Sequence, residues 1–397
     1  MSAGHGDVAV ALTNYVFPND LHVHWSLMIV LYPYITGIVA GAFIVSSMYH
    51  VFKIEALKPI ARFSLVFALA FLACATMPLI NHLTQPFRAM NMMLTPSPTS
   101  AMAGFGYIYS AYAIVLILEI IFIYRETLVK AKAKASGGMK TLYTILTIGS
   151  DNVSKKSLAL DHKIISFLAA IGIPMACVLH GYVGFIFGGV KANPLWATPL
   201  MPVIFLLSAC VSGIAGIIVT YIVIKKSSSQ DIDIDCIRTC VKFLWGFFIF
   251  DFVFEMLEIF SHGYMATHHW HTLEALLWGP LYNSYWVAQV MIFSIIPFFL
   301  LGWLSLFNLR SKTVIFWAPI ASMMILIQVL LMRWNIVIGG QLMSKSGRGA
   351  TSFHPEWFEK EGIIPAIIIM VLPLIFLYLL GKVFPFWLDD SADKTTG

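Results

Sequence analysis

Long apolar runs separated by short polar stretches dominate the chain. Their lengths cluster near the ~20 residues a helix needs to cross a hydrocarbon core about 30 Å thick. The pattern predicts nine membrane-spanning helices, at 25–51, 63–83, 101–124, 163–188, 197–224, 240–262, 283–304, 313–338 and 362–386. A transmembrane barrel would instead show segments of about ten residues with alternating polarity, and the runs do not alternate. The expected fold class is all-α and integral to the membrane. Residues 25–188 are expected to form one four-helix bundle and 197–338 a second, with a loop at 339–361 leading to a ninth helix at 362–386.

Composition agrees: 59% of the 397 residues are apolar and 11% charged, with a mean hydropathy of +0.82. The first 24 residues hold no Lys or Arg, so no cleavable leader is expected. The five cysteines lie in or beside apolar runs without C-x-x-C spacing, and no iron–sulfur cluster is expected in this chain. The net charge of +5 is an orientation signal before it is a nucleic-acid signal, and no nucleic-acid partner is expected. With the N-terminus outside, the inner segments carry 19 Lys and Arg and the outer ones six (Arg88, Lys191, Arg333, Lys345, Arg348 and Lys360). That bias predicts an outer N-terminal segment at 1–24 and a cytoplasmic tail at 387–397.

Histidine runs the other way. Ten of twelve lie outside or at outer span ends, which suits a proton-exchanging or ligand-binding face as well as simple loop composition. Span 1 begins with Asn19, His22, His24 and Trp25. Span 2 ends with Asn81, His82 and, just beyond, Arg88; span 4 ends with His180 and Tyr182. A quinone headgroup needs donors that also exchange protons, set among apolar walls, and these residues meet that need; interfacial solvation is the alternative. Gly37 and Gly41 in span 1 form a G-x-x-x-G, for which close helix packing is explanation enough.

Span 6 places Asp251, Glu255, Glu258 and His262 at spacings of 4, 3 and 4, one stripe on one helix face. Each carboxylate near mid-membrane opposes insertion by about 2.5–3.5 kcal/mol, so the stripe must face protein or water. It reads as a proton path or as a set of structural pairs. Glu119 in span 3 is a lone intramembrane acid open to the same two readings. The histidine-rich loop with His262, His268, His269 and His271 lacks the spacing of a structural zinc site, and no metal site is expected. His82 and His180 are the conceivable haem pair, and neither haem nor any other redox metal is expected here.

Several stretches resemble the NrfD/PsrC family, the polysulfide-reductase-type membrane subunits. They are HVHWSLMIVLYPYITGIVAGAF, NHLTQPFRAMNMMLTPSPTSAM, HGYVGFIFGG followed by Trp196 and FLLSACVSGIAG, and the glutamates of span 6. The closing RWNIVIGGQ and FHPEWFEKEGI resemble its longer branch (DsrP/QrcD/ActC-like), found in respiratory and sulfur-metabolising complexes. The resemblance implies a subunit of the prokaryotic cytoplasmic membrane that exchanges electrons between a menaquinone-like quinone and a ferredoxin-like iron–sulfur subunit on the outer face. Further catalytic or cytochrome subunits would lie beyond it, and proton movement is an implied companion. The resemblance maps the quinone contacts onto Asn19, His22 or His24, and Tyr182. Many relatives carry an acid where span 2 exits; this chain has NHLTQPFR there, a departure that leaves open whether a carboxylate assists the quinone. The alternatives are an ion-coupled secondary transporter and a haem b membrane anchor. Loop 339–361, with Phe353, His354 and Trp357, is the expected docking surface for the iron–sulfur partner.

Overall fold

The computed structural model describes residues 23–97, 99–265, 270–343 and 351–387, so Asn19, His22, His268 and His269 lie outside the described residues. Among these, nine helices reach membrane-crossing length. They are α1 (Leu27–His50), α2 (Glu55–His82), α3 (Ala101–Lys134), α4 (Lys155–Gly188), α5 (Met201–Ser227), α6 (Ile234–Tyr264), α7 (Tyr282–Leu306), α8 (Ser311–Leu342) and α9 (Ile363–Gly381). Eight are apolar enough to cross a membrane on composition alone. α6 is the exception: it is 31 residues long, but it carries the carboxylate stripe.

α1 is the axis of the molecule. Its most apolar stretch is 94% buried, against 33% for α3 and α4 and 22% for α9, whose outer faces meet the surroundings. Its start is set by Ser26, whose Oγ accepts from the Met28 amide at 3.3 Å as an N-cap. α5 is the second central helix; it packs against α1, α4, α6 and α8. α9 lies against α2.

The α1–α5 crossing explains the small residues of span 1. A Cβ on Gly41 would sit 2.0 Å from the Ala209 carbonyl oxygen, and one on Gly213 would sit 2.3 Å from the carbonyl carbon of Gly41. Where helices in lipid have no hydrophobic drive to associate, such backbone contact supplies the packing energy. Gly41→Val is therefore expected to destabilise the bundle by about 1–3 kcal/mol or more, because two backbones must separate. Gly246→Ala in α6, where a Cβ meets nothing within 4 Å, should leave the thermal midpoint in detergent unchanged.

The stretch 125–162 reads as a polar linker, yet α3 continues to Lys134, a short helix covers Gly137–Leu146 and α4 begins at Lys155. The Ala- and Lys-rich sequence after residue 125 forms helix well, so hydropathy marks where lipid ends and not where the helix does. A buried ion pair ties the two extensions: Arg125 donates from Nε and Nη2 to Asp161 Oδ2 at 2.8 and 2.5 Å and from Nη2 to Ser157 Oγ at 2.6 Å. We call this extremity the Arg125 end of the bundle and the opposite one the His24 end.

Candidate functional site

At the His24 end the start of α1 is latched to α8. Gln341 of α8 exchanges two bonds with the backbone of Trp25, accepting from its N–H at 2.9 Å and donating to its carbonyl at 3.0 Å. Trp25 stacks on Trp196 with centroids 5.0 Å apart, and Trp196 Nε1 donates to the Ile336 carbonyl at 2.6 Å. Trp25 thus does more than anchor an interface: it fixes the start of α1 against α8.

Beside this latch lies an open pocket of about 570 Å³. One wall is Val23, His24 and Ser26; the other is the segment from Phe353 to Glu361. Phe353 itself packs on Trp334, whereas Trp357 is exposed. Glu361 is the best-held polar group here. It accepts a hydrogen bond from Ser26 Oγ and pairs with His82 Nδ1 at 2.8 Å. Its position at the N-cap of α1 places it at the positive end of a 24-residue helix, a favourable contact worth about 0.3–1 kcal/mol. Asn81 Nδ2 donates to the Lys360 carbonyl at 2.6 Å, and Lys360 Nζ donates to the Leu83 carbonyl at 2.8 Å.

The other candidates of the same end are dispersed. Arg88 is exposed in a short turn, Pro86–Arg88. The Tyr182 hydroxyl faces Gly104 of α3, and its ring packs on Phe185. His180 is fully buried, lying under Gly37 and facing Arg333 Nη2 at 3.1 Å. His82 and His180 take different partners, Glu361 and Arg333.

Arg333 corrects the charge reading. Counted by sequence among outer charges, it is 0% exposed. Its Nη2 donates to Ser208 Oγ at 2.5 Å, and its guanidinium lies 3.7 Å from the centroid of the Phe205 ring. A cation in that position is held by charge-assisted hydrogen bonds and by the aromatic face.

Deeper in the molecule, the α6 stripe divides. Asp251 and Glu255 are buried, and Glu258 bonds His262 Nε2 at 2.9 Å one turn further on. Glu255 Oε2 accepts from Gln289 Nε2 at 3.1 Å, and Oε1 accepts from Gln328 Nε2 at 3.2 Å. Gln289 Oε1 in turn accepts from Asn335 Nδ2 at 2.8 Å, and Asn335 Oδ1 accepts from Ser284 Oγ at 2.6 Å. Wide π-helical turns over Tyr282–Ile295 and Asn335–Gly339 present Gln289 and Asn335 to this network. Neither oxygen of Asp251, nor of the buried Glu119 in α3, has a hydrogen-bond partner among the described residues. No cluster of three His, Cys, Asp or Glu with metal-holding geometry occurs among the described residues. Sequence reading passed over Gln289, Gln328 and Asn335, although lone polar residues in apolar spans were the available signal.

A multi-pass membrane bundle with a polar pocket at one end and a buried ionisable network within is the class these features define. Residues 17–345 match the family described as Polysulphide reductase, NrfD, and the chain belongs to that family. It is 26% identical to a selenate reductase subunit of Mesobacillus selenatarsenatis, covering 87% of this chain and 83% of that protein. It is 24% identical to the protein NrfD of Escherichia coli, covering 80% and 95% respectively. It is 20% identical to the Hdr-like menaquinol oxidoreductase integral membrane subunit of Archaeoglobus fulgidus, covering 90% and 85%. Two of these names describe one subunit of a larger oxidoreductase, and the chain is a membrane subunit of this family.

Proposed function

We propose that this chain is the quinone-reactive membrane subunit of a respiratory electron-transfer complex. It would exchange electrons between a menaquinone-like quinone and an iron–sulfur subunit docked on the outer face. The His24 end is the outer one in this reading, with the N-terminus outside and the C-terminus inside, as the Lys and Arg bias suggests. The observation that carries the proposal is the pocket at the start of α1, where His24 and Glu361 stand among Val23, Phe353 and Pro355. Its volume of about 570 Å³ suits a ring-sized headgroup, and its walls combine apolar surface with groups that exchange protons. The menaquinol in the name of the Archaeoglobus fulgidus relative points the same way.

Quinone chemistry supplies two electrons and two protons per headgroup. In this reading His24 donates to a headgroup oxygen, with Asn81 and His82 securing the wall behind it; Asn19 and His22 belong to the same proposal. The exposed surface of Phe353–Lys360 offers the partner an aromatic and charged docking face. His24→Ala in the intact complex is expected to lower quinol-linked turnover by at least ~10-fold, equivalent to ~1.4 kcal/mol, while leaving assembly intact. Turnover and quinone affinity at wild-type levels would remove His24 from the site. Tyr182→Phe asks whether the α3–α4 side also reaches the quinone: a comparable fall includes it, and wild-type turnover leaves it out.

A further inference from the structure

The segment before α9 builds one whole wall of the pocket, and it lies beyond residue 345, where the match to the family ends. Two consecutive residues bind it to the ends of α1 and α2. Glu361 takes Ser26 and His82, and Lys360 takes Asn81 and Leu83, so the carboxylate sits at a set place. Three glutamates line the pocket, and Glu356 and Glu359 are exposed. Glu361 is held by side chains from two elements, yet its own side chain remains 27% exposed and lines the cavity. A group that is oriented on one side and open on the other has the geometry of a proton acceptor. It also stands where span 2 exits, the place at which this chain's own sequence offers Asn81 and His82 but no acid.

We propose that Glu361 is the proton-exchanging carboxylate of the quinone site, oriented by Ser26 and His82 and contributed by the C-terminal extension. This rests on the quinone reading above. Oxidation of a bound quinol gives up two electrons and two hydroxyl protons: the electrons leave singly to the iron–sulfur partner, one proton goes to Glu361 and one to the His24 imidazole. Both groups open to the outer solution through the pocket, which takes the protons away. Quinone reduction runs the same transfers in reverse. Ser26 and His82 act on the reaction only by holding Glu361.

The test uses the full complex, with 2,3-dimethyl-1,4-naphthoquinone as the binding probe and its quinol as substrate. Glu361→Gln keeps the shape and the contact to Ser26 but cannot take a proton. It is expected to lower kcat about tenfold or more while KM and probe affinity stay within about twofold, and Glu361→Asp should recover most of the loss. In the wild type, infrared difference spectra between oxidised and reduced probe should contain a carboxylate band, shifted as the partner of Glu361 changes from quinol hydroxyl to quinone carbonyl, that is missing in Glu361→Gln. Wild-type kcat in Glu361→Gln overturns the proposal, and so does a wild-type difference spectrum with no carboxylate band, which needs no variant to fold. If His24→Ala still abolishes turnover in either case, the quinone reading survives and only the role of Glu361 falls. If the wild-type complex binds no naphthoquinone, both fall together.

Discussion

Arg333→Ala is expected to lower the stability of the bundle by about 3–5 kcal/mol, through loss of the hydrogen bonds to its charged group and of the packing of the guanidinium. Arg333 is fully enclosed where α8 meets α4 and α5. Its loss leaves the Ser208 hydroxyl and the His180 imidazole without their charged partner and opens a cavity against Phe205. Each lost hydrogen bond to a charged group contributes about 1.5–3 kcal/mol. Arg333→Lys keeps the charge but not the planar guanidinium whose Nη2 meets both His180 and Ser208 while its plane lies over the Phe205 ring, so a loss of intermediate size is expected. Thermal denaturation of the detergent-solubilised protein reads both. Equal midpoints for alanine and wild type would mean that the guanidinium holds nothing together.

The second large effect concerns Glu255. Two amide donors, from Gln289 and Gln328, converge on its carboxylate, and Asp251 lies one turn away on the same face. Glu258 and His262 continue the line toward the His24 end. If the line moves protons between the membrane sides, Glu255→Gln in liposomes should keep quinone-linked electron transfer at the His24-end pocket. Associated proton translocation should fall at least about tenfold, because an amide cannot titrate. Equal translocation by Glu255→Gln and wild type removes Glu255 from the route. Absence of translocation in the wild type makes the stripe structural, and the variant is then judged by assembly.

The readable parts of the molecule were those in which one helix carries the whole signal. The α6 stripe follows from spacing alone, since residues 4, 3 and 4 apart share a face on any regular helix. Gly41 was readable as a packing residue, and the structure adds its partner, Gly213 on α5. What crosses between distant segments was not readable. Glu361 meets His82 across a separation of 279 residues, and nothing local to either marks the contact. Arg333 reads as an exposed charge because it stands near a span end, yet the wide turns after residue 334 extend α8 to Leu342 and carry Arg333 inside. The same π-helical backbone in α7 breaks the 3.6-residue period, so the face of Gln289 could not be assigned by counting. Helix length beyond the lipid, as in α3 and α4, escapes hydropathy because polar residues also form good helix.

Photo-labelling of the intact complex in membranes decides whether quinone reacts in the pocket at the start of α1. An azido-naphthoquinone irradiated with the complex, followed by peptide mapping, should label the peptides that carry His24 and Phe353–Glu361. The labelling should be lost when unmodified naphthoquinone competes. Label confined to the Arg125 end, or label in the His24 pocket that naphthoquinone does not displace, would contradict the account.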